Sequence, residues 1–314
     1  MSQIVQLGQT DLNISPVGLG TNAVGGQKYY PTITDDAGRA FLSTALSEGV
    51  DFWDTAFIYG PKRSEQIIGE VLQKEKKRQD IALATKGSHR FEGNEVVMDN
   101  HPDFLKQAVQ DSLHRLQTDY LDLYYIHFPD EDTPKYEAVG ALQELKEKGV
   151  IRSVGVSNFS PEELKEANMD GYVDVVQGQY NLLNRKAEKE LFPYIRENSL
   201  SFVPFFPFAS GILTGKYMKN TTFAAGDTRL QKPEFQEDAW QMNLEKVAKL
   251  ENMANEKEIE VSQLVLAYYL NREEIDVVIP GAKKPEQVKR NKQAEETALS
   301  RAEMDIIESL FPLE

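Results

Sequence analysis

Short, continuously apolar segments alternate with longer amphipathic segments along almost the whole chain. The segments 50–54, 81–86 and 121–127 show the pattern well, because none of them alternates between apolar and polar residues. Apolar runs of this length are typical of strands in a parallel sheet that helices cover. About eight strand–helix units can be counted, which favours an α/β fold of the (β/α)8 TIM barrel type over an open sheet.

The predicted elements follow one another without a linker or a low-complexity stretch. We expect an N-terminal β-hairpin over residues 3–15, a loop over 21–31, a polar loop over 87–102 and a long loop over 209–238, after strand 7. Strands are predicted at 17–20, 50–54, 81–86, 121–127, 151–156, 174–178, 201–206 and 276–280. Helices are predicted near 34–49, 64–72, 105–116, 136–145, 160–163, 187–197, 239–256 and 262–270, with a final pair after the last strand. The sequence therefore predicts a single domain over residues 1–314.

Composition excludes several classes of function. The chain of 314 residues has a formal net charge of −15, which argues against binding to nucleic acid or to an anionic membrane surface. It has no cysteine, so disulfides and thiolate nucleophiles are excluded. Neither a secretory signal nor a membrane-spanning apolar run is visible, and we expect a cytoplasmic protein.

Four ionisable side chains stand at or just after the ends of successive predicted strands: Asp54, Tyr59, Lys86 and His127. The carboxyl ends of the strands of a (β/α)8 barrel all face one mouth, so these residues are expected to converge. Each has an ordinary structural explanation on its own: a helix cap, a packing aromatic, a solvated lysine or a structural histidine. Their joint placement favours a catalytic group.

The chemistry of such a group can be worked out. A phenol has a pKa of about 10, and a nearby ammonium group stabilises its anion and so lowers that pKa. A carboxylate supplies the counter-charge that a buried ammonium needs, and a neutral histidine can donate a hydrogen bond to a substrate oxygen. The set is suited to delivering a proton to a carbonyl oxygen or removing one from an alcohol.

These residues are part of a longer series of motifs. The series runs Asp54-Thr-Ala-x-x-Tyr59-Gly60, Ala84-Thr-Lys86, Ile126-His127-x-Pro-Asp130, Gly155-Val-Ser-Asn158, Gln177-Gly-Gln-Tyr-Asn181, Pro207-Phe-Ala-Ser-Gly211-Ile-Leu-Thr-Gly-Lys216 and Ile279-Pro-Gly281. It resembles the motif series of the aldo-keto reductases, and in particular that of the bacterial reductases related to potassium-channel β subunits. The resemblance covers the chain and implies an NADPH-dependent oxidoreductase. It implies that Tyr59 is the proton donor, that Lys86 and Asp54 adjust its acidity, and that His127 orients the carbonyl group.

A nicotinamide dinucleotide is expected across the same mouth. Ser157, Asn158 and Gln177 could hold its carboxamide, Phe205 could stack on its ring, and the segment from Pro207 to Arg229 supplies glycines and cations for the pyrophosphate. By resemblance, Gly281, Lys283, Gln287 and Asn291 match positions for the 2′-phosphate and adenine. Because the family often has arginine where Gln287 stands, the preference for NADPH over NADH depends mainly on Lys283. The remaining predicted cofactor residues are Gly20, Thr21, Asn22, Asp54, Phe206, Phe208, Ser210, Gly211 and Lys216.

The substrate pocket is expected to be aromatic. Besides Tyr59 and His127 it is predicted to include Trp53, Phe57, Phe91 and Phe128. Tryptophan is common in the family where Phe128 stands, and the difference should reshape the pocket without altering the chemistry. The substrate is expected to be a small carbonyl compound or alcohol.

Other site types find little support. The glycines Gly18, Gly20, Gly25 and Gly26 lack the spacing of a dinucleotide fingerprint. The four histidines show no metal-ligand spacing, so no metal is predicted. No Gly-x-Ser-x-Gly elbow is present.

Three functions remain open: a carbonyl reductase, a cofactor-sensing regulatory subunit with little turnover, and an enzyme that oxidises a polyol or sugar alcohol. The oligomeric state is open as well, with a monomer slightly favoured.

Overall fold

The computed structural model describes residues 4–26 and 33–313. The chain is an α/β protein built on a curled parallel sheet of seven strands. Its strands, in chain order, are β1 (Val5–Gln6), β2 (Asn13–Ile14), β3 (Leu19–Gly20), β4 (Phe52–Asp54), β5 (Ala82–Gly87), β6 (His89–Glu92), β7 (Glu95–Met98), β8 (Leu123–Ile126), β9 (Val154–Ser157), β10 (Val175–Gln179) and β11 (Ser201–Phe205).

The order of strands in the large sheet is β11-β10-β9-β8-β5-β4-β3, and every neighbouring pair is parallel. The spatial order therefore follows the chain order with no reversal, unlike an open doubly wound sheet, in which the order reverses at a switch point. All seven strands direct their carboxyl ends to the same side of the sheet. The predicted α/β class and the parallel sheet are confirmed.

The helices alternate with these strands as predicted. They are α1 (Asp35–Ser47), α2 (Arg63–Glu75), α3 (Pro102–Leu116), α4 (Lys135–Glu147), α5 (Pro161–Ala167), α6 (Ala187–Glu190), α7 (Phe192–Glu197), α8 (Glu237–Glu256), α9 (Val261–Leu270), α10 (Pro285–Lys292) and α11 (Arg301–Leu310). The start of α5 has the predicted capping box, in which Ser160 and Glu163 bond to each other's backbone N–H. The apolar faces of the helices pack on the outer face of the sheet and form the main hydrophobic core.

The N-terminal hairpin is present as β1 paired antiparallel with β2. The predicted strand 276–280 is not a regular strand. This part of the chain makes two isolated parallel bridges. Val278 pairs with Val17, just before β3, and Gly281 pairs with Gly20, in β3. Proline lacks an N–H and cannot donate to a strand ladder, so Pro280 interrupts regular pairing there.

Two predicted loops contain regular structure. Residues 87–102 hold the antiparallel hairpin β6–β7, which turns at Gly93 with a φ of 62°. Residues 209–238 contain 3-10 turns at Ala209–Thr214, Thr228–Gln231 and Pro233–Phe235. The predicted loop 21–31 includes residues 27–31, which lie outside the described residues. That residues 1–314 form a single domain stays a prediction.

Candidate active site

An ion pair lies at the carboxyl ends of β4 and β5. The Lys86 ammonium contacts the Asp54 carboxylate at Oδ1 and donates to the Thr55 carbonyl at 2.9 Å. Both side chains are buried, with 0% and 2% of their areas exposed. Burial lowers the pKa of Lys86, and the charge of Asp54 opposes that effect. Removing one member of a buried pair leaves an uncompensated charge, so the two residues depend on each other.

The second carboxylate oxygen of Asp54 has its own partner. Gln177, in β10, donates from Nε2 to Asp54 Oδ2 at 2.9 Å. The predicted carboxamide ligand Gln177 is thus also part of the support beneath the ion pair. Hydrogen bonds accepted by both carboxylate oxygens and donated by the ammonium hold the pair in one geometry.

Tyr59 lies over this ion pair. Its ring centroid is 5.4 Å from Lys86 Nζ and 6.1 Å from the centroid of the His127 ring, with the two rings nearly perpendicular at 85°. The next residue, Gly60, has a φ of 65°, and a Cβ there would collide with the Gly25 carbonyl oxygen. Only glycine fits at this turn, which brings Tyr59 back over the strand ends.

His127 follows β8 and completes the group. Its backbone carbonyl accepts a hydrogen bond from Asn158 Nδ2 at 3.0 Å. The pKa of His127 lies well below 6.5, first because of burial and then because of the charge of Lys86 and the neighbouring His89. The imidazole is therefore neutral and can donate from one ring nitrogen to an oxygen atom. The structure brings together all four residues that were predicted to converge.

Of the aromatic side chains predicted for the substrate pocket, Phe128 lies against this group, and Phe57 and Phe91 pack on each other. The rings of Phe57 and Phe91 lie 5.8 Å apart, and Phe128 stacks on His127 at 5.1 Å. Phe91 and Phe128 are 41% and 36% exposed, so they can be covered by a ligand. Phe91 lies on the hairpin β6–β7, which the sequence predicted as a loop.

Trp53 does not belong to this pocket, and the structure corrects that prediction. Its side chain is 0% exposed within the main core, and its indole N–H donates to the Val50 carbonyl at 2.8 Å. Successive side chains of a strand point to opposite faces, so the inward direction of Asp54 turns Trp53 towards the helices.

His89, at the start of β6, was missed. Its ring lies 4.8 Å from the His127 ring and 5.6 Å from that of Phe128, and it is 7% exposed. Burial lowers its pKa to about 4. Its only sequence signal is a histidine three residues after Lys86.

The cations predicted to bind phosphates lie close together. Burial lowers the pKa of Lys216, and Arg229 and Arg290 lower it further by their charge. Burial also lowers the pKa of Lys283, with Lys216 and Arg229 contributing by charge. A protein with a net charge of −15 thus gathers like charges that destabilise one another. Such a cluster is suited to an anionic group that offsets the repulsion.

The backbone beside this cluster is unusual. Phe206, Ala209, Ser210 and Gly211 all have positive φ. A Cβ at Gly211 would lie 2.5 Å from Lys216 Nζ, so glycine is needed for the lysine to approach. Left-handed non-glycine residues each cost about 1 kcal/mol or more and are concentrated at ligand sites. Ser210 also accepts a hydrogen bond from Lys232, at 2.7 Å.

The other predicted cofactor residues line the same edge. Thr21 donates to the Asp54 carbonyl, Ser157 Oγ accepts from Asn158, and Phe205 lies 5.3 Å from Phe206 between ring centroids. A Cβ added at Gly20 would lie 2.7 Å from the Ile279 carbonyl oxygen.

Near the cations, one further side chain has a clear role. The side-chain amide oxygen of Gln287, Oε1, accepts from the Lys283 backbone N–H at 2.8 Å, which fixes the turn that carries Lys283. Of the others, Pro207 and Asn291 are buried, Phe208 packs on the core, and Gly281 approaches Asn22.

Two features are absent from the described ranges, 4–26 and 33–313. No helix there is long and apolar enough to cross a membrane. No group of three or more histidine, aspartate or glutamate side chains there could hold a metal ion.

The fold and this arrangement define a class of oxidoreductase that acts on carbonyl or alcohol groups, and comparison with known proteins agrees. The model of the aldo/keto reductase family matches residues 16–311. The chain therefore belongs to the aldo/keto reductase family.

Individual relatives share about a third of the sequence. The aldo-keto reductase yakc [NADP(+)] of Schizosaccharomyces pombe is 32% identical over 90% of this chain and 85% of its own. The NADH-specific methylglyoxal reductase of Escherichia coli is 30% identical over 98% of this chain and 97% of its own. Among solved structures, the glycerol dehydrogenase AKR11B4 from Gluconobacter oxydans superposes with a TM-score of 0.90 at 32% identity. The match covers 98% of this chain and 94% of that protein's chain.

Proposed function

We propose that the protein catalyses the reversible reduction of small aldehydes and ketones to alcohols, with NADPH as the reductant and Tyr59 as the proton donor. The observation that carries the proposal is the position of the Tyr59 ring, 5.4 Å from the buried Lys86 ammonium and 6.1 Å from the neutral His127 ring. A phenol, a cation and a neutral donor thus face one point at the strand ends.

Each side chain has a distinct role in this proposal. Tyr59 donates its phenolic proton to the carbonyl oxygen as negative charge develops there. The Lys86 ammonium stabilises the resulting phenolate, and Asp54, held by Gln177, keeps that ammonium charged and in place. His127 donates a hydrogen bond to the same substrate oxygen and fixes its direction. In the oxidative direction the Tyr59 phenolate would accept the hydroxyl proton of the alcohol, and the oxidised cofactor would take the hydride.

The nicotinamide cofactor supplies the hydride when it is bound. The residues present fit it, because the charge of Arg229 contributes to the lowered pKa of both Lys216 and Lys283, and bound phosphate groups would relieve this repulsion. We propose that Lys216 and Arg229 hold the pyrophosphate and that Lys283 holds the 2′-phosphate. The names of the relatives include both NADP(+) and NADH, and Lys283 supports NADPH here.

We also propose that the sheet closes into an eight-stranded barrel through residues 274–281. Gly18 donates to the Val278 carbonyl at 2.8 Å on one side, and Phe202 donates to the Glu274 carbonyl at 2.8 Å on the other. This segment would then link β11 to β3 and place the cofactor-binding turn of Lys283 at the same mouth as the catalytic group.

The test is NADPH oxidation with a panel of small aldehydes and ketones, comparing the parent with Tyr59→Phe. The exposed Tyr136 offers a matched control as Tyr136→Phe. We expect Tyr59→Phe to lower kcat by roughly 100-fold or more, since general acid catalysis contributes about 10²–10⁴. NADPH binding, followed by protein fluorescence, should be retained. Turnover by Tyr59→Phe at the parent rate would refute the assignment, and tight NADPH binding without turnover by the parent would favour a regulatory subunit.

A further inference from the structure

A second histidine ring, that of His89, lies against His127, although the proposed reaction uses only His127. His89 and His127 lie 4.8 Å apart between ring centroids, with their planes 73° apart. His89 contacts both His127 and Phe128 and is edge-on to each of these rings. This position is next to the residue proposed to bind the carbonyl oxygen.

The backbone around His89 is fixed. Ser88 Oγ accepts from the Phe128 N–H at 3.1 Å, and the Ser88 carbonyl accepts from the Asp99 N–H at 2.7 Å. His89 itself pairs with Met98 across the hairpin β6–β7. A side chain held on regular structure in this way is positioned before a ligand arrives.

The hydrogen bonding of the two rings is incomplete in the same way. Nδ1 of His89 and Nδ1 of His127 are both buried and have no partner among the described residues. Buried polar atoms without partners are uncommon, and an unpaired N–H is rarer than an unpaired acceptor. The neutral tautomer that avoids a buried unpaired N–H carries its proton on Nε2. Each ring therefore presents one N–H donor on its other edge.

Both rings are neutral near pH 7, since burial lowers the pKa of His89 to about 4 and that of His127 well below 6.5. Two neutral donors side by side are suited to two oxygen atoms of one uncharged molecule. An anionic substrate would gain little from them in comparison with a charged donor.

We infer that His89 is a second hydrogen-bond donor to the substrate, and that the site selects carbonyl compounds that carry a hydroxyl or a second carbonyl oxygen on the neighbouring carbon. His127 binds the reacting carbonyl oxygen and His89 binds the adjacent oxygen. The inference rests on the proposed carbonyl reduction and adds the substrate class to it.

A pair of substrates that differ by one hydroxyl group isolates the effect. The quantity measured is the ratio of kcat/KM for 2-hydroxypropanal to kcat/KM for propanal, with NADPH. A ratio cancels any general loss of activity, whether from partial unfolding or from movement of His127. We expect the parent to favour 2-hydroxypropanal.

The variants are His89→Leu, which has no donor, and His89→Gln, which retains one. His114→Gln, at an exposed position on α3, controls for the loss of a histidine. We expect His89→Leu to lower the ratio by about three- to tenfold, the range for one lost hydrogen bond. His89→Gln should restore part of it, and His114→Gln should match the parent. NADPH binding by fluorescence verifies that each variant is folded.

The outcomes separate the two proposals. A ratio that stays within twofold of the parent in His89→Leu overturns the inference about His89 and leaves the carbonyl reductase intact. The same holds if His89→Gln and His89→Leu lower the ratio equally, because the donor would then have no role. A parent that reduces neither aldehyde overturns both.

Discussion

Gln177 donates a hydrogen bond to Asp54 at 2.9 Å, although 123 positions separate the two residues in the chain. Gln177 is in β10 and Asp54 ends β4, so the bond spans the interior of the curled sheet. It connects a predicted cofactor ligand to the carboxylate that holds Lys86. The cofactor side and the proton-donor side of the proposed site therefore share one buried hydrogen-bond network.

Gln177→Leu should damage both stability and catalysis. The substitution leaves Oδ2 of Asp54 buried without a donor, and such a loss costs about 1–3 kcal/mol. We expect the Tm to fall by several degrees and kcat to fall with it, because the ion pair beneath Tyr59 loses its support. Thermal unfolding and NADPH oxidation measure the two effects. Gln179→Leu, at the exposed end of the same strand, is the control. An unchanged Tm in Gln177→Leu would show that the bond carries no stability.

Much of this site could be predicted from the sequence, because convergence follows from topology. Once the apolar runs indicate parallel strands, Asp54, Lys86 and His127 must share one edge, whatever the intervening loops do. The position of Trp53 could also have been inferred, since it alternates with Asp54 on a three-residue strand. The expectation that Trp53 lines the pocket neglects this alternation.

His89 and the segment 276–281 could not be placed in the same way. The hairpin that carries His89 depends on its anchoring to Asp99 and Phe128, contacts that have no local sequence signal. The segment 276–281 has the apolar composition of a strand, but its pairing depends on whether β3 is near enough to accept it. Both are tertiary effects, which periodicity does not report.

The Lys86–Asp54 pair should behave as a unit in unfolding experiments. Lys86→Met leaves a buried carboxylate and Asp54→Asn leaves a buried ammonium, and each should lower the free energy of unfolding by about 3–5 kcal/mol. The double variant removes both charges. We expect it to be clearly more stable than the sum of the single losses implies, by at least about 1.5 kcal/mol. Urea unfolding of the four proteins gives this coupling, and simple additivity would contradict the structure.

Stability should fall as the pH decreases below about 6.5. His89 and His127 have lowered pKa values in the folded protein, to about 4 for His89, so they stay neutral there while the unfolded chain binds protons. The unfolded state then binds more protons, and the free energy of unfolding falls by up to about 1.4 kcal/mol per pH unit for each histidine.

The contribution of one histidine can be isolated. His89→Leu removes its proton uptake, while the carboxylates that also titrate are common to both proteins. The difference in unfolding free energy between about pH 7.5 and pH 5 should therefore be smaller in the variant by roughly 2 kcal/mol. Urea unfolding at the two pH values is the measurement. An equal pH dependence in the two proteins would mean that His89 titrates normally when folded.

Cofactor preference should depend on Lys283 and not on its neighbour Lys284. Lys283 has a lowered pKa, from burial and from the charges of Lys216 and Arg229, which indicates that it belongs to the cation cluster. Lys284 is exposed, next to the start of α10, and provides a matched control. Lys283→Gln removes the charge proposed to bind the 2′-phosphate, a group that NADPH has and NADH lacks. Loss of one charged hydrogen bond, worth about 1.5–3 kcal/mol, should lower the ratio of NADPH affinity to NADH affinity by roughly tenfold or more.

Fluorescence titrations of both cofactors give this ratio without any turnover, so the measurement does not depend on the choice of substrate. We expect Lys284→Gln to keep the ratio of the parent. A raised salt concentration should weaken the binding of NADPH more in the parent than in Lys283→Gln, because the variant has one cation fewer for the salt to screen. An unchanged ratio in Lys283→Gln would mean that another cation of the cluster binds the 2′-phosphate. Arg229 would then be the residue to test, although its guanidinium is already paired with Asp227 and the Tyr217 hydroxyl.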